Sequence, residues 1–214
     1  MVKEFLSEED KHRIIDSVKE AECCTTGEIV PMVVSASYHY PMADVIGATL
    51  FAFTLSIFMT PLVGGFFWIG AQNMWVFIGL FAVKFTLFHT LIRRIPSLKR
   101  VFVSKKEIDE EVEEAAITSF FKQNICRTRD ATGVLIYISL FEHKVYVLAD
   151  KGINAMVAQG EWDEIVKLIV DGIRQKRGGE VISEAVRRVG IILKEYFPAK
   201  PDDKDELDNL IVKT

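Results

Sequence analysis

The sequence predicts an α/β fold: a small mixed β-sheet flanked by helices, interrupted by a two-helix membrane hairpin. Three observations predict it. "TTGEIVPMVV" from Thr25 and "ATGVLIYIS" from Ala131 both pass from a Thr-Gly pair into an apolar, β-prone run. Charge-rich segments with helical periodicity surround them. Between them, from Val45 to Ile92, the only fully ionised side chain is Lys84.

The first helix opens at Ser7, with Asp10 in its first turn, as an N-cap requires. Ile14, Ile15, Val18 and Ala21 form its apolar stripe, and Gly27 ends the element. "EIVPMVVSAS" reads as a strand in which Pro31 demands an edge position or an irregularity, because proline donates no ladder hydrogen bond. A lone strand is unstable, so its partners must come from residues 133–149. The hydrophobic segment therefore interrupts one domain. The boundaries read as 1–42 with 97–200 for the split soluble domain, 43–93 for the hairpin and 201–214 for an acidic tail.

The hairpin reads as spans near 44–63 and 68–92, each about the 20 residues that a hydrocarbon core needs. Pro61, Gly64, Gly65 and "GAQN" break the pattern between them, and Trp68 and Trp75 suit the far interface. Lys11, Arg13 and Lys19 precede the first span; Arg93, Arg94, Lys99 and Arg100 follow the second as a basic anchor. The positive-inside rule then places both termini and the soluble domain in the cytoplasm, on the inner membrane. Ala48, Ala52, Ser56 and Thr60 on the first span, with Ala82, Thr86 and Thr90 on the second, form small-residue stripes that read as the seam of the hairpin. Lys84 and His89 are ionisable groups at membrane depth, and Asp44 is a candidate partner of His89.

After the hairpin, Ser104 and Glu107 have capping-box spacing, and Ile108, Val112, Ala115, Ala116 and Phe120 form a helical face. "GVLIYISL", the turn "FEHK" and "VYVLAD" read as a two-stranded hairpin. Trp162 to Ile173 carry a strongly amphipathic helix stopped by "RGG", and Val181 to Leu193 a second one ended by Pro198. In the tail, "LDNLIV" is the segment able to dock. The two Thr-Gly pairs read as two strand entrances, each with a glycine for a sharp turn, leading into parallel strands.

A net charge of -4 and a pI near 5.7 argue against a nucleic-acid binder, which usually shows a basic face. Cys23, Cys24 and Cys126 give no disulfide framework and no metal spacing, and read as buried thiols. The charged N-terminus is no signal peptide. His12, His39, His89 and His143 are scattered, and the chain has no nucleophile elbow, P-loop, HExxH or GxGxxG.

"TTGEIVPMVV", "RTRDATGVLIYISLFEHKVYVLADKGI", "EWDEIV" and the tail "DDKDELDNL" together resemble the TPM domain family, in a bacterial branch with a transmembrane hairpin. The resemblance implies a sheet sandwiched by helices and tethered to a membrane. It also implies relatives that take part in photosystem repair, bind divalent cations or are credited with acid phosphatase activity. Relatives follow the second hairpin strand with a glycine-rich turn containing Glu; here that stretch is Asp150, Lys151, Gly152, Ile153, Asn154 and Ala155, without the Glu. Asp150, Glu28 and Asp130 are the candidate oxygen ligands for a hard ion such as Ca or Mg, although Asp150 also has the position of a helix cap. Arg127 and Arg129 are candidates for phosphate or lipid-headgroup contact. The expected function is a non-catalytic accessory or assembly factor bound to a larger membrane protein complex. The alternative is a divalent-metal-dependent phosphatase.

Overall fold

The computed structural model describes residues 5–70, 72–200 and 206–213. The chain divides into two compact units, Met1–Tyr38 with Asp109–Thr214 and His39–Ile108. The hairpin unit thus runs past the expected boundary at 97.

In the first unit, helix α1 (Glu8–Glu22) starts at Ser7, whose Oγ accepts from Asp10 N at 3.1 Å while Asp10 returns the bond to Ser7 N. Strand β1 (Glu28–Val34) pairs in parallel with β2 (Gly133–Ser139), from Glu28 opposite Gly133 to Val34 opposite Ser139. Strand β3 (Lys144–Ala149) runs antiparallel to β2, and β4 (Ile211–Lys213) parallel to β1. The order is β3-β2-β1-β4. The mixed α/β sheet is the expected one, and the end of "LDNLIV", with Lys213, forms its fourth strand.

Pro31 therefore sits in an inner strand, and the register explains how. Glu28 N donates to Thr132 O on the β2 side, whereas Ser35 N donates to Lys213 O on the β4 side. Odd-numbered amides of β1 thus face β4. Pairing with β4 begins only at Met32. At Pro31, β1 is still an edge strand on the side where an amide is missing.

Side chains alternate across the sheet. Ile29, Val33, Val134, Ile136 and Ile138 enter the main core with residues of α1, α7 (Gln159–Arg174) and α8 (Gly178–Tyr196). Met32, Val34 and Tyr137 face α5 (Lys105–Lys122), on the other side of the sheet. "RGG" does not cap α7: Lys176 takes the left-handed turn at φ 61°, and Gly178 and Gly179 start α8. A Cβ on Gly178 would lie 2.5 Å from the Phe5 ring, and one on Gly179 would strike Asp10. Close approach to α1 requires these glycines. The cysteines correct another expectation: Cys23 and Cys24 are exposed and Cys126 is half-buried, because the first two follow the last turn of α1.

In the second unit, α2 (Pro41–Phe66) and α3 (Met74–Arg94) are long and apolar enough to cross a membrane. Most of the apolar length of both helices is exposed. Helix α3 starts later than 68 because Trp68 and Gly70 adopt left-handed backbone, and Asn73 Oδ1 caps Trp75 N at 2.9 Å. The short α4 (Pro96–Arg100) follows.

Candidate functional site

The amino-terminal end of the parallel strands holds the candidate metal and phosphate residues. The two Thr-Gly pairs meet here, offset by one position: Thr132 Oγ1 donates to Thr26 O at 2.7 Å, and Thr25 Oγ1 donates to Phe197 O at 2.6 Å. Neither glycine uses positive φ. A Cβ on Gly27 would lie 2.7 Å from Leu193 Cδ1, and one on Gly133 would strike the Ile125 carbonyl. Absence of a side chain, and not a sharp turn, is what these positions need.

Glu28, Asp130 and Asp150 sit at this end, and each is engaged. Glu28 Oε1 accepts from Glu206 N at 3.3 Å. Asp130 Oδ2 accepts from Lys200 Nζ at 2.7 Å, and this bond holds the half-buried Asp130 carboxyl below the usual carboxylate range. Asp150 Oδ1 accepts from Lys151 N at 2.6 Å, capping α6 (Lys151–Asn154), while its Oδ2 is buried without a hydrogen-bond partner. Among the described residues no three His, Cys, Asp or Glu side chains converge as metal ligands. The described residues alone do not complete a Ca or Mg site, and no catalytic step is assigned through one. Arg127 lies in the 3-10 turn Ile125–Arg127, and Arg129 N donates to Glu206 Oε2 at 3.1 Å. Both arginines are exposed.

The opposite, carboxyl-terminal end of the strands holds residues that the sequence reading missed. Ser37 N donates to Glu142 Oε1 at 2.9 Å, and Ser139 Oγ donates to Glu142 Oε2. Ser37 Oγ donates to Ser139 Oγ at 3.1 Å and lies 3.1 Å from Tyr137 Oη. Glu142 is fully buried, at 0% exposure. Burial, opposed by the Ser37 hydrogen bond and reinforced by the Glu142 charge, raises the Tyr137 phenol above its ordinary range. Beside this network lies a cavity of about 400 Å³ between the sheet and α5. One signal was available: Tyr137 and Ser139 put polar groups two apart on one face of an apolar strand. Glu142, inside a turn, gave none.

In the hairpin unit, Ala48, Ala52, Ser56 and Thr60 are buried. Ala82, Thr86 and Thr90 are exposed, and the two threonines donate to carbonyls of their own helix. The two helices meet through other residues: Phe51 packs on Phe88 at 5.4 Å between centroids, Phe53 on Phe77 at 5.9 Å, and Ile92 on Gly47. Lys84 is 8% exposed and donates to Leu55 O at 3.2 Å. Asp44 pairs with Lys99 at 3.0 Å and not with His89, whose ring stacks on Phe85. Arg93 and Arg94 are exposed and Arg100 is half-buried.

The family model of the TPM domain matches residues 97–191. Residues 97–191 are thus similar to the TPM domain. The match starts after the two long apolar helices, yet the sheet unit as folded also uses α1 and β1. The chain is similar to the BA42 protein from the psychrophilic bacterium Bizionia argentinensis, solved by NMR. The identity is 21% and the TM-score 0.61, over 100% of this chain and 99% of that one. That likeness shows the fold. No curated protein matches the chain.

Proposed function

We propose that this TPM-domain protein is anchored by its hairpin in the cytoplasmic membrane and serves as a non-catalytic accessory or assembly factor of a larger membrane protein complex. The observation that carries the anchoring is the hairpin surface. Phe58, Leu62, Phe66, Val83 and Leu87 are exposed along it, while Ser56, Thr60 and Lys84 are buried. A patch of that kind is stable in hydrocarbon and aggregates in water. Arg93, Arg94, Lys99 and Arg100 follow the second helix, where anionic headgroups attract cations. The accessory role is supported by Ile117 and Phe121, exposed four residues apart on α5 and so neighbours on one helix face. Purification from membranes in mild detergent is expected to yield a stoichiometric partner; a chain that always purifies alone contradicts the reading. The phosphatase alternative rests on the buried, unpartnered Asp150 Oδ2. It requires metal-dependent hydrolysis of a phosphate ester that disappears in Asp150→Ala.

A further inference from the structure

We infer that the cavity between α5 and the carboxyl ends of the parallel strands binds a small zwitterion of amino-acid type, with its ammonium group on Tyr137 and Glu114. In open α/β sheets, ligands bind outside the carboxyl ends of the strands, where connections leave to opposite faces. This cavity has that position. Val34 and Ser35 close β1, Lys213 closes β4, and Ser139, closing β2, stands behind the wall. The connection from β1 to β2 returns through α5 on one face, and the connection to β4 runs through α7 and α8 on the other.

The hydroxyl network fixes what the cavity offers. A hydroxyl has one proton. Ser139 gives its proton to Glu142, and Ser37 gives its proton to Ser139. Tyr137 is then the donor to Ser37 across their 3.1 Å contact. Its lone pairs are left facing the cavity as acceptors. Glu114, on α5, adds a carboxylate to the same lining, so the acceptors suit an N–H-rich cation. Lys122 and Lys213 also line the cavity, and their ammonium groups suit the anionic end of the same molecule. A volume of about 400 Å³ suits a small molecule and not a folded partner. Buried Glu142 thus acts as a positioning residue that never touches the ligand.

The test is calorimetric titration of the full chain in detergent micelles at neutral pH with alanine, lysine, butylamine and butyrate. The two amino acids should bind and butyrate should not. Tyr137→Phe keeps the ring and removes the acceptor; Glu114→Gln changes an exposed helix position. Each should weaken amino-acid binding about tenfold, the size of a lost hydrogen bond to a charged group, with an unchanged circular dichroism spectrum. Absence of heat with both amino acids overturns the inference. So does binding of butyrate as tight as that of alanine, or binding that neither substitution alters. The membrane-partner reading does not enter this outcome.

Discussion

The fully buried side chains of the sheet unit include Ile29, Val134, Leu135, Ile136 and Val186, whereas those of the hairpin include Ala48, Ala52 and Ser56. The surfaces are reversed as well. The sheet unit exposes charged residues such as Glu20, Arg187 and Lys200, and the hairpin exposes Phe58, Leu62, Trp68 and Trp75. Under the proposed anchoring, one chain is sorted by two rules. In water, apolar area leaves the surface, at roughly 25 cal/mol per Å². In lipid that drive vanishes, and helices associate through close backbone approach and interhelical hydrogen bonds. The small α2 face and the Lys84 bond to Leu55 O fit the second rule.

The contrast can be broken first in the sheet core. Ile136→Ala should destabilise the sheet unit by about 2–5 kcal/mol, the usual cost of a large-to-small change at a fully buried site. Chemical denaturation measures it, and a loss below 1 kcal/mol would mean that this face is loosely packed. A matched pair comes next. Phe58 and Phe121 are 68% and 60% exposed, one in each unit. Phe58→Arg should cost about 3 kcal/mol of membrane insertion. Phe121→Arg should change stability by no more than about 0.5 kcal/mol. Insertion assays and denaturation would show equal tolerance if both residues faced water. Third, Ala52→Leu overfills the buried α2 face and should cost about 1–3 kcal/mol of helix association. Inter-helix crosslinking yield should fall accordingly.

The smallest effect is alkaline. The folded-state pKa of Tyr137 is raised, so its contribution to stability is complete below the ordinary phenol pKa, near 10. That contribution is lost as pH rises through the higher folded value. Tyr137→Phe should remove this part of the alkaline destabilisation. Identical profiles for the two proteins above pH 10 would show that the phenol ionises as freely as in water.

Periodicity revealed the helices, and the Thr-Gly echo located β1 and β2. The parallel pairing followed because each strand comes after a helix. Less legible were features that depend on a neighbour distant in sequence. Pro31 looked like an edge residue until the short β4 left that half of β1 unpaired. Gly27 and Gly133 signalled turns, yet they make room for Leu193 and Ile125. Ala82, Thr86 and Thr90 had the spacing of a seam, but only the rotation of α3 decides that they face outward. The candidate site divided likewise. Asp150 and Glu28 were visible as carboxylates at strand ends, whereas the Glu142 network joins three segments and lies behind the cavity wall.

Thiol labelling of intact cells tests the central claim most directly. Cys23 and Cys24 are exposed in the sheet unit, and Gln72, exposed in the hairpin turn, can be replaced by cysteine. With a membrane-impermeant maleimide, the native chain should label only after permeabilisation, and Gln72→Cys should label in intact cells. Labelling of the native cysteines in intact cells, or recovery of the chain in the soluble fraction, would contradict a cytoplasmic domain held by a membrane hairpin.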